Sequence, residues 1–265
     1  MAKKIIILTV PGIGSKEAGY SEGLKEKLRK STKGKPVFDN MIFMETLPFK
    51  EAKIDKNQTD LYKRLNEMNR LGGKLSLRKF VLEAFGDAVA FERNSYDNNS
   101  PYKRIHRYLR KRIEQANTEM EKYDKARIVI VAASMGVQVL STYIWDADHK
   151  KGIFEKAGAT KENNLENLSY LATIGCNIPL FVSGSSENEI QAFKKRNSGF
   201  KWDNYYDSDD VLGWPLKQLS DSYKKIVTDH EINTGLYVGA HLRYWDDNEF
   251  TKPFAKKIIN LYDSM

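Results

Sequence analysis

Cysteine is almost absent: Cys176 is the only one in 265 residues. That rules out a disulfide within this chain and any cysteine-rich zinc site, and it fits the cytoplasm as the expected compartment. Long apolar runs are missing too. No stretch approaches the roughly 20 residues that span a bilayer, so no transmembrane segment is expected. The run Ile5-Ile6-Ile7-Leu8-Thr9-Val10 passes into Pro11-Gly12-Ile13-Gly14 without a small-residue cleavage site, which reads as a buried strand and not a signal peptide. The seven prolines and 17 glycines gather into no linker. With no repeat and no low-complexity tract either, collagen, disorder and coiled coil are excluded.

What is present is ordinary for a globular protein, with 41% hydrophobic and 29% charged residues. A chain of this length can bury roughly three quarters of its unfolded surface, so a single core needs no staples. A formal charge of +8 raises the question of nucleic acid. The densest basic cluster is Lys103, Arg104, His106, Arg107, Arg110, Lys111 and Arg112, and Ile105, Leu109 and Ile113 recur through it every four positions. That spacing puts one helix face in the core and the rest in solvent. No nucleic-acid module accompanies it, so no nucleic-acid partner is expected. Oligomeric state leaves no signature.

Apolar runs alternate with helical patterns, which predicts an α/β fold: a mainly parallel sheet with helices on both faces. Strands are expected at Lys4–Val10, Met41–Thr46, Arg127–Ala132, Leu168–Ile174 and Trp202–Tyr206. Helices are expected at Ser21–Lys30, Pro101–Tyr123, Met135–Ala147, Asn188–Arg196 and Lys252–Tyr262. Ser100 can cap the second of these, with Pro101 at its first position and the turn formers Asp97, Asn98 and Asn99 just before it. Residues 48–98 break the alternation. Helical patterns at Thr59–Leu71 and Leu77–Phe91, joined by Gly72-Gly73, form a helical insertion within a single domain spanning residues 1–265, either packed on the core or acting as a lid or cap.

The chemistry centres on Ile128-Val129-Ile130-Val131-Ala132-Ala133-Ser134-Met135-Gly136. A β-rich run ends at a serine between small residues, and a helical pattern starts at once. A nucleophile elbow demands this arrangement, since a tight strand-to-helix turn lifts the hydroxyl above the sheet. In the Gly-x-Ser-x-Gly pattern, Ala132 replaces the first glycine and Gly136 keeps the second. After the first strand, Val10-Pro11-Gly12-Ile13-Gly14-Ser15 can point backbone N–H groups at an oxyanion. A phosphate-cradling loop is excluded by spacing, and a dinucleotide loop by Glu17 where the third glycine belongs. Tyr205-Tyr206-Asp207-Ser208-Asp209-Asp210 places carboxylates at a strand end, the ligand edge of an open sheet. Of the four histidines, His106 lies in the basic helix, His149 among charged residues and His230 beside Asp229. His241 alone sits in a small-residue and aromatic loop late in the chain.

The order Ser134, acidic loop, His241, with an oxyanion loop after an early strand, resembles the α/β-hydrolase fold, and within it the small lipase- and esterase-like members. The resemblance covers the chain apart from the 48–98 insertion. It implies Ser134 as nucleophile, His241 as general base and Asp210 as the orienting acid, since the family's aspartate precedes a hydrophobic pair, here Val211-Leu212. Asp207 is the runner-up. The oxyanion hole would be the backbone N–H groups of Ile13 and Met135. Gly175-Cys176-Asn177-Ile178-Pro179-Leu180-Phe181 resembles the family's acyl-pocket wall, with Gly12, Ile178, Leu212 and Trp214 as pocket candidates. Cys176 itself reads as a small buried residue. Trp202, Tyr205, Tyr206, Trp214, Tyr244 and Trp245 divide between cleft and core. The implied activity is hydrolysis of an ester or related acyl bond in a small-molecule or lipid-like substrate, with no metal or organic cofactor. The alternative is a non-catalytic binding or interaction protein on the same scaffold.

Overall fold

A strand buried on both faces reads as a near-continuous apolar run, and β1 (Lys3–Val10) shows it from Ile5 to Val10, with Thr9 the one polar residue. Ile6, Leu8 and Val10 join one core cluster, while Ile5 and Ile7 join another on the opposite face. The computed structural model describes residues 2–12, 17–53, 56–57, 60–61, 63, 91, 97–235 and 238–265. Among them β1, β2 (Met41–Glu45), β3 (Lys125–Ala133), β4 (Leu168–Ile174), β5 (Lys201–Tyr206) and β6 (Val227–Glu231) form one six-stranded sheet in the order β2-β1-β3-β4-β5-β6. Every neighbouring pair is parallel.

Helices cover both faces. On one lie α1 (Glu22–Thr32) and the last helix, which contribute Leu24, Leu28, Phe250, Phe254 and Ile258. The other face carries α3 (Pro101–Met120) and α4 (Met135–His149), which contribute Ile105, Leu109, Ile113, Val139, Leu140 and Tyr143. This is the α/β architecture expected from the alternation, a parallel sheet with helices on both faces. Shorter helices complete the chain: α2 (Pro48–Glu51), α5 (Ile178–Val182), α6 (Asp221–Ile226) and α7 (Val238–His241), ahead of the last helix, α8 (Asn248–Asp263). Beyond α2, the expected insertion helices lie almost wholly outside the described residues.

Three local readings change. Asn188–Arg196 is a 3-10 turn at Glu187–Glu189 followed by irregular chain: Ile190 and Phe193 are buried at helical spacing, but the Ala192 and Lys194 N–H groups donate to Ser222 Oγ at 2.9 Å and Asp148 Oδ2 at 3.1 Å and not to a helix. Edge strand β6 and helix α6 escaped notice, since Val-Thr-Asp-His-Glu carries almost no apolar signal and is half-exposed along one side of the sheet. The basic face of α3 is not wholly solvated: Lys103 and His106 are buried. His106 packs edge-on against Tyr143, 5.6 Å between ring centroids. Ser100 does cap α3, accepting from the Lys103 N–H at 3.3 Å, and Asp97 closes a turn by accepting from the Asn99 N–H at 2.7 Å.

The strand order reverses direction once, between β1 and β3. In an open parallel sheet the crevice outside the carboxyl ends at such a switch point is where ligands bind. Pro11-Gly12 leaves β1 there, and Ser134 leaves β3.

Candidate active site

Ser134 occupies the single residue between β3 and α4, with φ +49° and ψ −124°. A non-glycine residue there costs on the order of 1–3 kcal/mol. Two backbone hydrogen bonds hold it: its N–H donates to the Ile174 carbonyl at 3.0 Å, and its carbonyl accepts from the Val137 N–H at 3.0 Å. Close packing does the rest. A Cβ on Gly12 would lie 2.5 Å from the Ser134 Cβ and 3.2 Å from its Oγ, so the loop after β1 touches the serine through bare backbone. A Cβ on Gly136 would strike the Pro11 and Val10 carbonyls, so only glycine lets the first turn of α4 seat on the end of β1. Ala132, where a glycine was the pattern, is buried in the core beside Val10 and Thr173 with its methyl accommodated.

His241 closes on this serine from the far end of the sequence. Its Nε2 lies 2.8 Å from Ser134 Oγ, and its Nδ1 lies 2.8 Å from Asp210 Oδ2. With a carboxylate at Nδ1 that nitrogen carries the proton, leaving Nε2 to accept from the serine hydroxyl. Asp210 also accepts from the Leu212 N–H at 3.0 Å and the Tyr244 hydroxyl at 2.9 Å. Burial opposes the charge on Asp210, but His241, the Leu212 N–H and the Tyr244 hydroxyl outweigh it and hold the carboxyl below its usual value. Burial and the Asp210 charge push the Tyr244 phenol far up, so it stays protonated as a donor. The row can pass a proton from hydroxyl to imidazole while a fixed negative charge stabilises the imidazolium.

Asp207 does not meet His241. Its Oδ2 accepts from the Thr234 N–H at 2.5 Å and hydroxyl at 3.0 Å, and its Oδ1 from the Asp209 N–H at 2.9 Å. The Ala240 carbonyl, 2.9 Å from the same Thr234 oxygen, is the alternative acceptor for that single hydroxyl proton, so Thr234 links Asp207 to the segment that delivers His241. Neither Thr234 nor the Tyr244 hydroxyl stood out in the sequence. Tyr244 falls three positions after His241, one helical turn away, which is the only signal that could have found it.

The pocket candidates separate. Met135 opens α4, so its N–H is one of the helix's first, intrahelically unpaired donors beside Ser134. Ile13, the other expected donor, lies outside the described residues, while Gly12 is in contact with the serine. Ile178 is buried and lines a cavity of about 470 Å³ with Gln138, Phe181 and Tyr223, beginning one turn along α4 from Ser134. Leu212 is half-buried, and Trp214 is 42% exposed, its N–H donating to the Cys176 carbonyl at 2.9 Å. Trp202, Tyr205 and Tyr244 are core, Tyr206 and Trp245 half-buried. Cys176 is fully buried, and burial pushes its thiol far up, away from thiolate chemistry. The remaining histidines are elsewhere: His149 ends α4 and His230 stands on β6 beside Asp203.

No family model matches the chain, and no curated protein matches it significantly. Solved structures do. A cutinase-like protein from Cryptococcus sp. is 9% identical, with a TM-score of 0.42 over 97% of this chain and 95% of that one. An uncharacterized protein from Pseudomonas aeruginosa is 10% identical at TM-score 0.37, over 97% of this chain and 46% of its own length. An oxidoreductase from Corynebacterium diphtheriae is 10% identical at TM-score 0.30, with both chains covered completely. Similarities this distant carry nothing toward function. Among the described residues no helix is long and apolar enough to cross a membrane.

Proposed function

We propose that the protein is a serine hydrolase, of carboxylesterase or lipase-like type, that cleaves an ester or related acyl bond through Ser134, His241 and Asp210. The observation that carries this reading is the unbroken row from the Ser134 hydroxyl through His241 to Asp210, 2.8 Å at each link, built on a serine in a strained conformation at the switch point of the sheet.

His241 Nε2 takes the proton from Ser134 as Oγ attacks the acyl carbonyl. The carbonyl π electrons move onto oxygen, where the N–H groups of Met135 and Ile13 stabilise the oxyanion. Each such donor is worth about 3–4 kcal/mol in comparable sites. The oxyanion collapses, the bond to the leaving alcohol breaks, and His241 gives that oxygen its proton. Water then repeats the sequence on the acyl-enzyme, releasing acid and restoring the serine. Asp210 stays ionised throughout.

The surroundings favour an apolar substrate. Leu180, Val211, Trp214 and Leu242 are the exposed large hydrophobics among the described residues. All four stand on segments at the sheet edge that bears the site, Val211 and Leu242 directly beside Asp210 and His241.

The test is labelling with a fluorophosphonate probe together with turnover of a p-nitrophenyl ester. Wild type should do both; Ser134→Ala should do neither while keeping its melting temperature. Full turnover by Ser134→Ala would dismiss Ser134 as nucleophile. Folded wild-type protein that takes no label would instead make the scaffold a binding protein.

A further inference from the structure

Tyr244 is almost completely buried in a short 3-10 turn after the histidine. Its hydroxyl donates to Asp210 Oδ2 at 2.9 Å and accepts from the backbone N–H of Asp207 at 3.0 Å. Oδ2 is the same oxygen that receives His241 Nδ1. The ring stands edge-on to the imidazole, 85° between planes, and presses against Gly175, where an added Cβ would lie 2.8 Å from Cε2. One side chain therefore joins the strand-end turn 207–210, the loop after β4 and the histidine segment.

We infer that Tyr244 is a positioning residue for the reaction: its hydroxyl shares the Asp210 oxygen with His241 and sets both the direction of the carboxylate and the basicity of the imidazole. The inference rests on the hydrolase reading for its kinetic consequence, but not for its geometry. A carboxylate with one donor per oxygen can swing about its last bond. With Leu212 on Oδ1, and Tyr244 and His241 together on Oδ2, rotation breaks three hydrogen bonds at once. The phenol also withdraws charge from Oδ2. Without it, more negative charge faces Nδ1, the imidazolium is stabilised, and His241 holds its proton to higher pH. Since the base must be neutral to act, the acid limb of the activity profile moves up.

The neighbouring charges do not take over this role. The Asp207 carboxylate is occupied by Thr234 and the Asp209 N–H. Asp209 and Arg243 are exposed.

The experiment compares wild type with Tyr244→Phe, which keeps the ring and removes the hydroxyl. A control, Tyr143→Phe, removes another buried tyrosyl hydroxyl, bonded to the Asn163 carbonyl at 2.7 Å in the core of the opposite sheet face. Readouts are kcat and KM for p-nitrophenyl acetate against pH, the His241 midpoint by NMR, and the melting temperature. Tyr244→Phe should lose about ten-fold in kcat with KM within about two-fold, and its acid limb and His241 midpoint should rise together. Tyr143→Phe should lower the melting temperature without moving either midpoint. Should Tyr244→Phe fail to fold, 3-fluorotyrosine at position 244, installed by amber suppression, keeps the packing and makes a stronger donor; both midpoints should then fall. Midpoints that stay at wild-type values with Phe or fluorotyrosine overturn the inference, as does an equal shift in Tyr143→Phe. If wild type neither turns over esters nor takes the probe, yet the His241 midpoint still follows the substitution, the hydrolase reading fails and the role of Tyr244 stands.

Discussion

Ser134, Asp210 and His241 each needed a different kind of support from the chain. Ser134 is a polar residue in a conformation most side chains avoid, stabilised by neighbours with no side chain at all. Asp210 is a buried carboxylate kept ionised by donors that sequence proximity supplies only in part: Leu212 is two positions away, Tyr244 and His241 more than thirty. The two aspartates of one turn thereby take separate tasks, and substitution should separate them. Asp210→Asn should cost roughly 10⁴-fold in kcat, because an amide can present its NH₂ to Nδ1 and force the wrong tautomer. Asp207→Asn should instead destabilise by about 1–3 kcal/mol through its bonds to Thr234, with the smaller loss of turnover. Urea unfolding and ester kinetics on both variants check this, and the reverse ranking in kcat would reassign the acid.

At the scale of elements, the junction of β1, β3 and α4 is the decisive contact. α4 reaches the switch point because its first turn has no side chain at Gly136 to keep it off the Val10 and Pro11 carbonyls. Gly136→Ala would improve helix propensity by about 1 kcal/mol in isolation. Here the clash with backbone should dominate, with a net loss of about 1–3 kcal/mol and displacement of Ser134. A lower melting temperature with slowed fluorophosphonate labelling is the expected result; a stabilised, fully reactive variant would remove the packing argument. The elements legible in the sequence, β1 to β5, α1, α3, α4 and α8, are those whose apolar residues recur at strand or helix spacing. Those that were not, β6 and α6, lie at an edge where neighbours, not composition, offset the cost of order. The segment after Glu189 shows the converse, since apolar residues at helical spacing make no helix where side chains of other segments take the backbone N–H groups.

For the whole molecule, the sheet also sets the acid limit of stability. Asp203 on β5 is buried, with Lys257 Nζ 3.0 Å from its Oδ2 and the Tyr170 hydroxyl donating to the same oxygen at 2.9 Å. His230 Nε2 lies 3.2 Å from Oδ1. Burial opposes its charge, but Lys257, His230 and Tyr170 prevail and hold the carboxyl below its ordinary value. A depressed carboxyl contributes stability above its unfolded pKa and loses it as pH falls through the folded one. Asp203 and Asp210 should therefore both weaken the fold in acid. Asp203→Asn should be less stable than wild type at pH 7, and the gap should close below the unfolded carboxyl value; a gap independent of pH in urea titrations would count against it. The formal charge of +8 has a smaller part than its size suggests, because Lys103 and Arg196 are buried and Arg196 is paired with Asp148.

By itself the sequence determined the fold class, the strand–serine–helix turn and the order of serine, acidic loop and histidine, because these are written in local periodicity and in residue types with fixed backbone demands. It left the two aspartates close rivals, read Tyr244 only as an aromatic for cleft or core, and kept Thr234 out of view. Only the tertiary structure decided those. Which carboxylate meets an imidazole 31 residues further on depends on where strands β5 and β6 deliver their loops, and that is fixed by pairing and packing across the whole sheet.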